Sequence, residues 1–150
     1  MATVTAPFHQ VKILIGDGET PTEGFTQLCL LNTSRSFDMT NNMQDDEVPD
    51  CTDVEEPAAI LRQIRSTDFQ ISGEGKLHVT NLATVLAWAN GGAARNVRIE
   101  VGTDSNGGQR ISGAFFLTQF SVSGTFKETA TASVTLMPAD SGAITIAALA

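Results

Sequence analysis

The chain has 150 residues, 41% of them hydrophobic, no tyrosine and a formal net charge of −8. That length fits one domain with a core that needs no disulfide or metal staple. The acidic balance disfavours tight binding to nucleic acid or anionic membrane, since both need a cationic footprint.

Abundant Gly, Thr and Ser favour a turn-rich β domain over a helical bundle. Residues 1–9 have neither a basic cluster nor an apolar run, so they read as a flexible arm rather than a secretory signal. Val11 to Ile15 reads as a strand stopped by Gly16-Asp17-Gly18. A second apolar run, Phe25 to Leu31, contains Cys29, which reads as a core residue, and the sequence gives no reason to bridge it to Cys51. Ser34 to Thr40 then alternates polar and apolar residues with period two.

Residues 41–57 change character. They carry Asp45, Asp46, Glu47, Asp50, Asp53, Glu55 and Glu56 and no basic residue, and they read as a long acidic loop. Oxygen ligands are plentiful there, but the alternate spacing and sharp-turn glycine of a calcium loop are missing, so the expectation is a solvated surface. Ala58 to Arg65 is expected to be a short helix, with Pro57 at its start and Glu55 and Glu56 at its positive dipole end.

Alternation resumes from Asp68 to Leu77. Asn81 is placed to cap a helix over Leu82 to Asn90 that Gly91-Gly92 ends, with the single Trp88 packed on it. Strands are expected at Val97 to Val101, Arg110 to Leu117, Phe120 to Phe126 and Thr129 to Leu136, with Lys127-Glu128 as a tight hairpin link between the last two. Residues 140–150 are mostly apolar and read as an arm that gains by docking. The fold class expected is all-β with one packed α-helix, an antiparallel sandwich or barrel.

Chemistry is sparse. No metalloprotease pair, nucleophile elbow or phosphate loop is present, and the paired glycines at 16–18 and 73–75 open no helix. Asp104-Ser105-Asn106-Gly107-Gly108 starts like a calcium loop, but Phe115 stands where the bidentate Glu belongs. His9 and His78 are the only near-neutral titrating side chains, and neither belongs to a catalytic set. The expectation is no enzyme activity, no cofactor and no metal.

Four alternating segments instead share a design, with one apolar face and one face of short polar or acidic side chains. The polar set includes Ser36, Asp38, Asp68, Gln70, Ser72, Glu74, Ser121, Ser123, Thr131 and Ser133. No proline blunts the strands against pairing with another chain.

Ser36-Phe37-Asp38-Met39-Thr40, a long loop, Asp68 to Gly75, a helix, and the closing pattern from Ile111 through Phe126 to Leu136 resemble the tail tube (major tail) proteins of long-tailed bacteriophages and related gene transfer agents. The resemblance covers residues 8 to 140. It implies a homo-hexameric ring that stacks into a tube conducting DNA, a virion location after assembly in the host bacterial cytoplasm, and partners among initiator, tape measure and terminator proteins. It also implies that the ten polar residues face the lumen, that residues 41–57 and the termini are contact arms, and that neither membrane nor specific DNA binding is involved. A ring-forming tube of a contractile secretion system and a monomeric β-sandwich binding module are the alternatives.

Overall fold

The computed structural model describes residues 5, 7–18, 22–28, 31–53, 55–77, 79 and 82–149. Cys29, His78, Asn81 and residues 1–4 of the N-terminal arm, for which roles are expected above, lie outside them. The described residues hold eight strands and one α-helix: β1 (Val11–Gly16), β2 (Phe25–Gln27), β3 (Ser34–Val48), β4 (Ala59–Lys76), α1 (Leu82–Gly91), β5 (Arg95–Val101), β6 (Gln109–Ser123), β7 (Thr131–Pro138) and β8 (Thr145–Ala148). All pairings are antiparallel, in one open sheet of order β2-β1-β5-β6-β7-β4-β3, with β8 added on β6. The all-β class with one packed helix holds, and the sheet stays open rather than closing into a barrel.

One apolar cluster draws on both halves of the sheet: Ile13, Ile15, Val97, Ile99 and Phe115 from one side, Ile71, Val134 and Leu136 from the other. The sheet therefore folds over on itself. Val85 and Trp88 of α1 complete this core, together with Leu28 and Leu31, which follow the short β2. Each fully buried aliphatic side chain here stabilises the fold by roughly 1.5–3 kcal/mol. As expected, α1 ends at the paired glycines: Gly92 takes a φ of 70° and its N–H donates to the Trp88 carbonyl at 3.2 Å.

Several expectations are corrected. Residues 41–57 are not a long loop, because Asn41–Val48 are the outer half of β3, paired residue by residue with β4, and only 49–58 form the connection. Ala58 to Arg65 is not a helix, because from Ala59 onward it is the facing strand. Arg65 is an extra residue, since Asn42 pairs with Ser66 and Met43 with Ile64. Ile60, Leu61 and Ile64 have helical spacing in the sequence because neither face of this outer stretch is buried, so Leu61 on one face and Ile60 and Ile64 on the other leave no period-two pattern. Lys127-Glu128 is not a two-residue hairpin either; residues 124–130 connect β6 to β7.

The segment over 140–150 docks on its own domain, with Thr145–Ala148 pairing β6 as β8. The strands expected at Arg110–Leu117 and Phe120–Phe126 are one strand, β6, interrupted by a bulge at Thr118. Odd residues face the core before the bulge (Ile111, Phe115, Leu117) and even ones after it (Phe120). A single inserted residue exchanges the two faces.

Candidate functional site: a polar sheet face with two free edges

Cross-strand pairs in an antiparallel sheet place both side chains on the same side, so the register defines the face. Ser34 pairs with Glu74, Glu74 with Ser133 and Ser133 with Ser121. The next row runs Ser36, Ser72, Thr135 and Gln119, and the row on the other side runs Lys76, Thr131 and Ser123. Asp38 pairs with Gln70, and Thr40 with Asp68. All ten polar residues nominated from the sequence thus lie on one face of the contiguous four-stranded region β3-β4-β7-β6.

Short side chains bond across this face rather than outward. The Ser36 and Ser72 hydroxyls are 2.5 Å apart, and those of Ser121 and Ser133 are also hydrogen-bonded. The formal charges on these rows are Asp38, Asp68 and Glu74 against Lys76, a net excess of carboxylate. Arg35, the basic residue of β3, points to the other side. There it donates to the carbonyls of Leu31, at 2.7 Å, and Val11, and it stacks on Phe8. Sequence reading missed three members. Gln119 joins the face only because of the bulge at Thr118, and the pair Phe116–Met137 gives the face an apolar margin at one end.

Two edges of this region lack a strand partner among the described residues. β3 pairs only β4. On β6, Phe115 pairs Arg95 of β5 on one side and Pro138 of β7 on the other, and β5 stops there. The β5-side edge of β6 is therefore open from Phe116 to Ser123. Unpaired N–H and C=O groups along such an edge are a template for a strand from another chain.

The seven loop acids divide between two settings. Asp45, Asp46 and Glu47 lie on the outer half of β3, while Asp50, Asp53, Glu55 and Glu56 lie in the connection. Asp50 accepts from the Thr52 amide at 2.9 Å and its hydroxyl at 2.8 Å, bonds that hold its carboxyl below the usual carboxylate range. Cys51, beside it, is free and exposed. Asp45 forms an exposed ion pair with Arg62 at 3.3 Å. These acids accompany exposed apolar side chains that the loop reading had overlooked: Met43, Ile60, Leu61 and Ile64, each more than half exposed.

Among the described residues no group of three or more His, Cys, Asp or Glu could hold a metal, and no helix is long and apolar enough to cross a membrane. A depression of about 430 Å³ lies at β2, β5 and β6, where Arg98 stacks on Phe25 and Glu23 accepts from Asn96 at 2.7 Å. Its two charged side chains are thus each engaged by a neighbour in the wall.

A family model described as phage tail tube protein matches residues 9–144. No curated protein sequence gives a match. Among solved structures, the chain is similar to one from the tail of an empty gene transfer agent particle refined with C6 symmetry, at 14% identity and TM-score 0.66, covering 97% of this chain and 100% of that one. It is similar to the SPP1 tail tube at 11% identity and TM-score 0.61, covering 89% and 75%. It is also similar to a chain of the PVC extracellular contractile injection system sheath-tube complex in its extended state, at 13% identity and TM-score 0.63, covering 97% and 93%.

Proposed function

The chain belongs to the phage tail tube protein family, whose members are structural proteins of the tail tube, and on that premise we propose that six copies join edge to edge into a ring whose polar face lines a DNA-conducting lumen. The observation that carries this reading is the pairing of one continuous polar face with two free edges at its opposite sides. Three antiparallel steps separate β3 from β6, so the two edge strands run in opposite directions. The β6 edge of one copy can then pair antiparallel with β3 of the next, and the ladder alternates without a break around the ring. The C6 symmetry of the similar gene transfer agent tail supports six copies.

Six four-stranded sheets make about 24 strands, beyond the size at which barrels leave an open channel. At about 4.8 Å per strand the circumference is at least ~115 Å and the backbone diameter at least ~37 Å, wider than a nucleic-acid duplex. Duplex DNA carries dense negative charge, and a lining of hydroxyls with a surplus of carboxylates gives phosphate nothing to hold. The hairpin with its seven acids and the chain termini would contact neighbouring subunits or rings. Assembly would occur in the host cytoplasm, with initiator, tape measure and terminator proteins setting the tube's ends and length.

Likeness to the PVC sheath-tube complex supports a second reading, a tube enclosed by a contractile sheath. The experiment that tests the first is electron microscopy of the purified chain at high concentration. Six-membered rings or tubes with an open centre support it, and a chain that stays monomeric at every concentration and salt contradicts it.

A further inference from the structure

The four-stranded region has two ends that differ in chemistry. β4 leaves β7 at the pair Ile71–Leu136, and the twelve residues from Ala59 to Gln70 run on with β3 alone. At about 3.4 Å per residue this hairpin projects roughly 40 Å past the sheet. At the opposite end, next to the Ser123–Thr131 pair, residues 124–130 close β6 to β7.

That closing turn carries Phe126, 87% exposed, the most exposed large hydrophobic side chain among the described residues. The Glu128 N–H donates to the Thr125 carbonyl at 2.9 Å, and Lys127 has a φ of 67°, the left-handed position that a type II turn usually gives to Gly or Asn. A lysine there costs about 1 kcal/mol relative to glycine, and its ammonium sits 5.5 Å from the Phe126 ring. No other non-glycine residue described has a positive φ. The turn thus presents an aromatic ring and a cation together, with the lysine held at a backbone position it does not favour.

Alternation and register define the receiving face on the hairpin. Met43 pairs Ile64, Asp45 pairs Arg62 and Glu47 pairs Ile60, all on one side. Met43, Ile60 and Ile64 are 54–58% exposed. Asp45 is already neutralised by Arg62, whereas Glu47 faces only Ile60. This side therefore combines apolar side chains with one carboxylate that lacks a cation across the ladder, the complement of Phe126 and Lys127.

We infer that the Phe126–Lys127 turn of one copy docks on the Met43, Ile60, Ile64 and Glu47 face of a second copy's hairpin, and that this contact joins successive rings; the inference rests on the ring reading above. The two surfaces lie at opposite ends of one sheet, so the contact is head-to-tail, and a head-to-tail contact that does not close on itself generates an open polymer. A hairpin that projects from one ring must pass the near end of the next, where the turn sits.

The test compares the wild-type chain with Phe126→Ser and with the charge pair Lys127→Glu and Glu47→Lys, singly and combined, by sedimentation velocity and electron microscopy. Phe126→Ser is expected to leave six-membered rings in place and raise the concentration needed for tubes at least tenfold. Either charge reversal alone should shorten tubes, and the combination should restore them. Tubes of unchanged length and onset from Phe126→Ser, or no restoration by the double reversal, overturn the contact while leaving the ring intact. A wild-type chain that forms neither ring nor tube removes the reading beneath it, and the contact falls with it.

Discussion

Ser36 and Ser72 face each other across β3 and β4 with their hydroxyls 2.5 Å apart, so each satisfies the other instead of reaching outward. Ser121 and Ser133 repeat the arrangement across β6 and β7. Polar groups that bond within the sheet leave a surface that is wetted yet holds little, as the lumen wall proposed above requires.

Adding cations to that wall should make it sticky. With Ser36→Lys and Ser121→Lys, both at exposed positions, the chain is expected to fold and assemble, and its tubes should retain DNA in a manner that weakens steeply with salt. Filter retention of DNA by wild-type and variant tubes from 50 to 200 mM salt, roughly the range over which phosphate contacts are lost, checks this. Equal retention by both would place these residues away from the lumen.

Much of this face was legible in the sequence, because period-two alternation at 34–40, 68–77 and 129–136 reflects one side buried against Phe69, Ile71, Val134 and Leu136. The outer hairpin was not legible, because from Asn41 to Ser66 neither face is buried and alternation needs a buried side to leave its mark. Ala59 to Arg65 suits a helix in isolation, and pairing with β3 overrides that preference. Thr118 hid the continuity of β6, since one inserted residue reversed the pattern in mid-strand. The acids of residues 41–57 were visible as charge, but the exposure of Met43, Ile60 and Ile64 beside them required the register.

Gly73 lies where β4 passes closest to the start of β3. A Cβ there would sit 2.7 Å from the Ser34 carbonyl oxygen and 3.1 Å from Leu31 side-chain carbons. Because Leu31 is fully buried, neither neighbour can yield cheaply. Gly73→Ala is expected to destabilise the monomer by about 1–3 kcal/mol, read as a lower denaturant midpoint with an unchanged slope.

Lys127→Gly should act in opposite directions on folding and assembly. Relief of the left-handed backbone, less the added freedom of the unfolded chain, raises monomer stability by up to about 1 kcal/mol. Tube growth should weaken because the ammonium is lost. Thermal unfolding and tube onset, measured on the same preparation, check both signs.

Met43→Gln with Ile64→Gln should leave the monomer's stability within about 0.5 kcal/mol of wild type, since substitutions at such exposed positions do little to folding. Tube formation should fail or shift to much higher concentration. A variant that polymerises normally would show that this face of the hairpin is not a contact.

Salt should favour assembly. Each subunit carries −8, so a six-membered ring carries about −48 and repels its neighbour over the Debye length, roughly 30 Å at 0.01 M and 8 Å at 0.15 M. Light scattering is expected to show a lower onset concentration at the higher ionic strength; an onset that rises with salt would assign stacking chiefly to ion pairs.

Cryo-electron microscopy of tubes assembled from the purified chain tests the central claim most directly. The account predicts a six-fold tube in which β6 of each subunit pairs with β3 of the next, placing Ser36, Ser72, Glu74, Ser121 and Ser133 on the lumen. A tube with this face turned outward, or subunits joined without edge-to-edge pairing of β3 and β6, would contradict it.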